Sequence, residues 1–221
     1  GGMQLRPIVA SSVDAYLYAA PRNTMGPGAL TAAAANLIEA HGTAAQVDRW
    51  VRPMRQGRFA GTMAMTEPGA GSSLADIVTR AVRAEHGSYR LFGSKIFISG
   101  GDHDLNENII HLVLARLPDA PPGAKGLSLF IVPKYRVGAD GTPGERNDVA
   151  LTGLFHKMGG RGQTSAALTF GERDGAVGEL VGEENRGLKC MFHMMNEARI
   201  MVGSGAAVLA LTGFQYALDY A

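Results

Sequence analysis

Met63-Ala64-Met65-Thr66-Glu67-Pro68-Gly69-Ala70-Gly71-Ser72-Ser73 reads as a strand that runs into a loop carrying two glycines and two hydroxyls at its far end. Glycine lets backbone amides approach an anion closely, and a hydroxyl adds a donor. Standing alone, such a loop is an ordinary glycine turn. Two nucleotide motifs are excluded. A dinucleotide fingerprint needs a third glycine at fixed spacing, and Gly93-Ser94-Lys95 lacks the Gly-Lys pair of a phosphate-binding P-loop.

Outward from that loop the hydrophobic period changes twice. Upstream, Leu30, Ala34, Leu37, Ile38 and His41 follow helical spacing, with Gly42 as a stop. Thr43 and Gln46 form a capping-box pattern that starts another helix, whose apolar face is Val47, Trp50, Val51 and Met54. Pro53 lies near its end. Downstream, Lys95, Phe97 and Ser99 alternate with Ile96 and Ile98, a two-residue period. Further strands are expected at 63–66, 77–84, 89–92, 109–117, 127–132, 166–170 and 177–181, separated by Gly- and Pro-rich turns. Many short strands without intervening helices predict a barrel or sandwich, not a parallel doubly wound sheet.

From Glu183 the helical period returns, with Leu188, Met191, Phe192 and Met195 in phase. After Arg199 the small residues Gly203, Ala206, Ala207 and Ala210 would let another helix approach closely. The expected class is α+β: a helical segment over 1–61, an antiparallel β-barrel or sandwich over 62–181, and the start of a helical domain over 182–221. The helical pattern still runs at Ala221, so continuation beyond it is expected.

Composition narrows the function classes. The 21 basic and 20 acidic residues nearly cancel to +1, which removes the electrostatic case for a nucleic-acid or membrane surface. A single cysteine, Cys190, excludes an internal disulfide framework and suits a reducing cytoplasm. The sequence opens on no leader pattern, so a cytoplasmic location is expected. The apolar stretch 200–214 is short for a membrane span and rich in small residues, so it reads as a packed helix and not as an integral membrane segment. Asp102-His103-Asp104 is the one tight group of metal-ligand types; the other histidines are scattered and no metal is expected.

The combination of motifs resembles the acyl-CoA dehydrogenases. Thr66-Glu67-Pro68-Gly69-Ala70-Gly71-Ser72 is close to the wording of that family's first signature, and 95–101 is similar to its second flavin-contacting strand. Lys157-Met158-Gly159, Arg161, Val181-Gly182-Glu183 and Arg186-Gly187 follow in the family's order and spacing. The loop 101–108 and the strand after it look most like the 3-methylmercaptopropionyl-CoA dehydrogenase-like branch. The resemblance covers essentially all 221 residues. It places the family's early helices ahead of Gln4, so the chain is expected to be the central part of a longer protein.

The resemblance implies FAD as cofactor and an acyl-CoA as substrate. Met63, Met65 and Thr66 would lie along the flavin ring, and Gly71 and Ser72 at the FAD pyrophosphate, with Ser72 also near CoA. Phe97, Ile98 and Ser99 would form the second flavin-contacting strand, Phe97 against the ring and Ser99 near N5. Ser73 departs from the family's usual aspartate. Met195, Asn196 and Arg199 would lie near the substrate. An electron-transfer flavoprotein or similar acceptor, and homo-oligomers of the full-length protein, are also implied.

The family reaction needs a carboxylate to remove the proton alpha to the thioester while hydride leaves the beta carbon. In most of the family that glutamate lies beyond the position matching Ala221, and some branches place it just before the arginine matching Arg199. That position is Ala198, and Glu197 lies about 100° around the helix from it. No catalytic base is therefore expected within the chain. Three readings stand: an acyl-CoA dehydrogenase, a related flavin oxidase or monooxygenase distinguished by oxygen reactivity, and a non-catalytic acyl-CoA or flavin-binding module. Sequence beyond Ala221 containing a glutamate would discriminate them.

Overall fold

The computed structural model describes residues 6–19 and 26–221; Gln4 lies outside them. Helix α1 spans Pro7–Ala19 and α2 Gly26–His41. Helix α2 buries Ala33, Ala34, Leu37 and Ile38 on one face, and Gly42 ends it as expected. Full burial of Leu37 and Ile38 contributes about 1.5–3 kcal/mol each.

The capping box is formed. Gln46 N–H donates to Thr43 Oγ1 at 3.2 Å, and Thr43 N–H donates to Gln46 Oε1 at 3.0 Å. The helix it starts is α3 (Ala44–Gln46), a π turn (Val47–Val51) and α4 (Arg52–Arg55). The wide turn has an identifiable cause. Pro53 has no N–H, and its ring would collide with the carbonyl four residues back. Inserting one residue, with Arg52 N–H bonded to Val47 O, makes room for it. Trp50 is buried there, its Nε1 donating to Glu179 at 3.2 Å.

Strands β1 (Phe59–Ala64), β2 (Arg80–Arg83), β3 (Tyr89–Ser99), β4 (Asn108–Arg116), β5 (Leu127–Pro133), β6 (Tyr135–Val137), β7 (Pro143–Arg146), β8 (Val149–Leu154), β9 (Ser165–Phe170) and β10 (Ala176–Val181) follow. A ring runs β4–β5–β10–β3–β2 and closes back to β4 through the single pair Arg80↔Arg116. The far half of β3 leaves that ring and pairs with β9, which pairs with β8. The expected barrel is thus present.

Four details differ from the sequence reading. Strand β1 joins the edge of β4 in parallel, Phe59↔Asn108 to Ala64↔Val113. Parallel pairing needs a long connection, and β2 and β3 supply it. Strand β3 is continuous through Gly93, where two strands were expected. Strands β6, β7 and β8 were not foreseen; the first two are short and flank the Gly-rich turn at 138–141. The close approach to α5 (Gly187–Tyr220) occurs at Gly205 and not at Gly203.

Strand β4 alternates Ile110, Leu112 and Leu114 toward the helices with Val113 and Ala115 toward the barrel interior. Both faces are covered, so its sequence is a continuous apolar run. Helix α5 starts with Gly187 pressed on β5, where a Cβ would lie 2.3 Å from the Ser128 carbonyl carbon. Cys190, Met191 and Met194 bury its first turns, and most residues past Ile200 are exposed. By length and composition α5 is also long and apolar enough to cross a membrane. Its first half packs instead on α2 and β5.

Candidate functional site

Strands β1 and β2 successively occupy one edge of β4, and residues 65–79 form the excursion between them. Glu67-Pro68-Gly69-Ala70 is a turn closed by reciprocal backbone bonds of 3.0 and 3.1 Å between Glu67 and Ala70. Gly71, Ser72 and Ser73 are exposed. A Cβ built on Gly69 or Gly71 would meet nothing within 4 Å, so the outer face of the loop is open to a ligand.

The turn is anchored from below by a buried ion pair. Glu67 is 3% exposed and Lys95 0%. Lys95 Nζ donates to Glu67 Oε1 at 2.8 Å and to the Met65 carbonyl at 3.0 Å. Glu67 also accepts from Val78 N–H at 2.8 Å, Thr79 N–H at 3.0 Å and Thr79 Oγ1 at 2.5 Å. Burial alone would raise the Glu67 pKa, but Lys95 and these donors hold its carboxyl below the usual range. Burial pushes the Lys95 ammonium down to about 8 against the support of Glu67. Neither residue was singled out from the sequence beyond its place in a motif. Their 28-residue separation hides the contact, and a charge in a strand of period two is the one available hint.

On β3 the pairing with β9 shifts between Lys95 and Ile98, a bulge centred on Phe97. Phe97 has φ +58, a left-handed conformation uncommon for an aromatic residue. The bulge turns the Phe97 ring outward, 48% exposed. The ring lies 4.4 Å from that of Phe155, with Lys157 Nζ 5.4 Å from its centroid. Ile96 N–H donates to the Thr66 carbonyl at 2.9 Å and ties this strand to the loop. Ser99 sits between two hollows. One, of about 150 Å³, is lined by Phe155, Lys157, Arg161 and Thr164; the other, of about 170 Å³, by Leu30, Gln163, Ala198 and Met201.

Thr66 and Phe97 are brought together through the Ile96–Thr66 bond, and Gly71 and Ser72 lie on the open part of the same loop. Met63 and Met65 are partly buried against the helical core, so their side chains are largely committed to packing. Ile98 is 1% exposed within the barrel core and offers a ligand only its main chain. Met195 likewise packs against the helical core. Asn196 and Arg199 are exposed and joined at 3.2 Å, with the guanidinium over Phe192 at 5.4 Å. Glu197 is held by Asn36 Nδ2 at 3.0 and 3.1 Å and lies 3.6 Å from His193. Asp102 of the acidic-histidine loop pairs with Lys134 and, at 3.2 Å, with Arg146.

A barrel flanked by helices thus carries an open glycine loop and an outward aromatic residue. The profile of the "Acyl-CoA dehydrogenase, middle domain" matches residues 62–172, and the chain belongs to the acyl-CoA dehydrogenase family. It is 43% identical to 3-methylmercaptopropionyl-CoA dehydrogenase of Ruegeria pomeroyi over 100% of this chain and 37% of that protein. It is 43% identical to a butyryl-CoA dehydrogenase of Syntrophomonas wolfei over 86% of this chain and 32% of that protein. The chain thus spans about a third of these curated relatives. Its fold matches the crystal structure of an acyl-CoA dehydrogenase from Geobacillus kaustophilus with TM-score 0.81 at 27% identity, covering 100% of this chain and 54% of the other. Butyryl-CoA dehydrogenase from Megasphaera elsdenii matches with TM-score 0.75 at 27% identity, covering 93% and 50%.

Proposed function

We propose that the chain is the cofactor- and substrate-facing part of an FAD-dependent acyl-CoA dehydrogenase that forms a 2,3-enoyl-CoA. The observation that carries this is the joining of the open 65–73 loop to the Phe97 bulge by the Ile96–Thr66 bond. That arrangement ties a loop with exposed hydroxyls and backbone to a strand bearing a half-exposed aromatic ring, which suits a flavin dinucleotide. FAD, when bound, supplies the hydride acceptor that no side chain provides.

The chain's own residues bind and orient. Thr66 and Ser99 would hold the polar edge of the flavin as donors, and Phe97 would lie against its ring. Gly71 and Ser72 take a phosphate through backbone and hydroxyl donors. Lys157 and Arg161, beside Ser99, add positive charge at the mouth. Asn196 and Arg199, exposed on α5, would contact the CoA portion. Glu197 is engaged by Asn36 and Ala198 carries no base, so we place the proton-abstracting carboxylate in sequence beyond Ala221. Electrons then pass to an electron-transfer flavoprotein or similar acceptor. We further place the full-length protein in the cytoplasm as a homo-oligomer.

The test is FAD binding by the full-length protein carrying Thr66→Ala or Ser99→Ala. Each change removes one hydrogen bond, worth about 0.5–1.5 kcal/mol. Weaker binding or a shifted visible spectrum is expected in both; unchanged affinity and spectrum in both would refute the assignment.

A further inference from the structure

Three consecutive residues of the site loop are each held by one dipeptide of β3. Lys95 Nζ donates to the Met65 carbonyl, Ile96 N–H to the Thr66 carbonyl, and Lys95 Nζ again to the Glu67 carboxylate. Phe97 and Ser99 stand two and four residues beyond Lys95 on the same strand. Lys95-Ile96 is therefore the joint between the two ligand-facing segments. Glu67 extends the joint by holding Val78 and Thr79, where the loop re-enters the barrel. Gly93 permits that approach, because a Cβ there would lie 2.4 Å from Thr79 Oγ1.

We propose that Lys95 is a positioning residue for FAD, its buried ammonium fixing the backbone from Met65 to Glu67 so that this loop and the Phe97 bulge present one surface. The inference rests on the FAD reading above. Core packing does not require a lysine here, since a buried ion pair replaced by apolar residues of similar size commonly leaves stability unchanged or higher. The contacts that an apolar pair would not reproduce are those to the Met65 carbonyl, to Val78 N–H and to Thr79. Glu67 is the charged group facing Lys95 in the barrel wall. With its pKa pushed down to about 8, Lys95 is charged at neutral pH and loses the third donor proton under mild alkali. Affinity for FAD is then expected to weaken as pH rises through about 8, because the neutral amine holds the Glu67 carboxylate less strongly.

The experiment uses the full-length protein, wild type and the double variant Glu67→Leu/Lys95→Met, which leaves no lone buried charge. FAD affinity and visible spectrum are measured between pH 6 and 9.5, together with the melting temperature of the apoprotein. The double variant strands the Met65 carbonyl and the Val78 and Thr79 donors, so it is expected to melt below the wild type and, compared well below its melting temperature, to bind FAD about 10-fold more weakly. Its affinity should not fall near pH 8, whereas that of the wild type should. A second variant, Thr79→Val, leaves Lys95 in place and should weaken binding less. If the wild type binds FAD and the double variant binds equally, with the same spectrum and pH profile, the inference is overturned while the FAD reading stands. If the wild type takes no FAD at any pH, both fall.

Discussion

Tyr18 of α1 lies against the bare backbone of Gly205 in α5, so close that a Cβ at position 205 would come 3.0 Å from its Cδ1. The contact lets a helix from the start of the chain pack directly on the last one. Gly205→Leu should force Tyr18 out and destabilise the α1–α5 contact by about 1–3 kcal/mol, as overpacking does. Amide exchange within α1 should accelerate in the variant. Unchanged exchange and melting would show that the contact contributes nothing.

His111 is fully buried, with Nδ1 2.8 Å from Thr62 Oγ1, and burial pushes its pKa down to about 3. Its folded pKa thus lies below the unfolded value near 6.5, so the imidazole stays neutral in the fold and protonates in the unfolded chain. The stability this represents is present above pH 6.5 and falls as pH drops toward 3, by up to about 1.4 kcal/mol per pH unit. His111→Gln should flatten that slope. Urea denaturation at pH 7, 6, 5 and 4, wild type against variant, reads it directly; parallel curves would refute it.

Asp148 Oδ2 accepts N–H bonds from Arg173, Asp174 and Gly175 at 2.9, 3.0 and 3.0 Å. One carboxylate oxygen thus closes the turn between β9 and β10. Asp148→Ala strands three donors and should cost about 1–3 kcal/mol, discounted because the turn is largely exposed to water. Amide exchange at residues 173–175 should rise, and a variant with wild-type protection there would contradict the assignment.

Residues 1–221 alone, supplied with FAD, an acyl-CoA panel and an artificial electron acceptor, are expected to show no substrate-dependent flavin bleaching. Loss of a general base typically lowers the rate about 10²–10⁴-fold. Bleaching at the rate of the full-length protein would reveal a base within the chain. Glu197→Gln would then be the first variant to make, with the Asn36 bond as the contact it must have released.

Much of the fold was legible because it is local. The capping box at Thr43 and Gln46, the stop at Gly42 and the apolar runs of β4 and β5 each depend on neighbours within a few residues. The candidate site was legible through the wording of its loop and strand, and less so through physics. Nothing local in 95–99 announces a bulge, yet the bulge decides that Phe97 points out and Ile98 in. The Glu67–Lys95 pair was hidden for the same reason, since it forms only once the loop after β1 lies against β3. The π turn at Val47–Val51 is the converse case: Pro53 was noticed, but its consequence lies upstream of it.

The two strands that flank the site loop take their registers from β4 independently, β1 from Asn108 to Val113 and β2 at Arg116, where Arg116 N–H also meets the Thr79 carbonyl. Neither register counts the residues between them. Insertions, deletions and sequence drift in the exposed part of 65–79 therefore do not slide any strand against its neighbour. This gives the scaffold a place where ligand preference can diversify while the barrel is inherited unchanged.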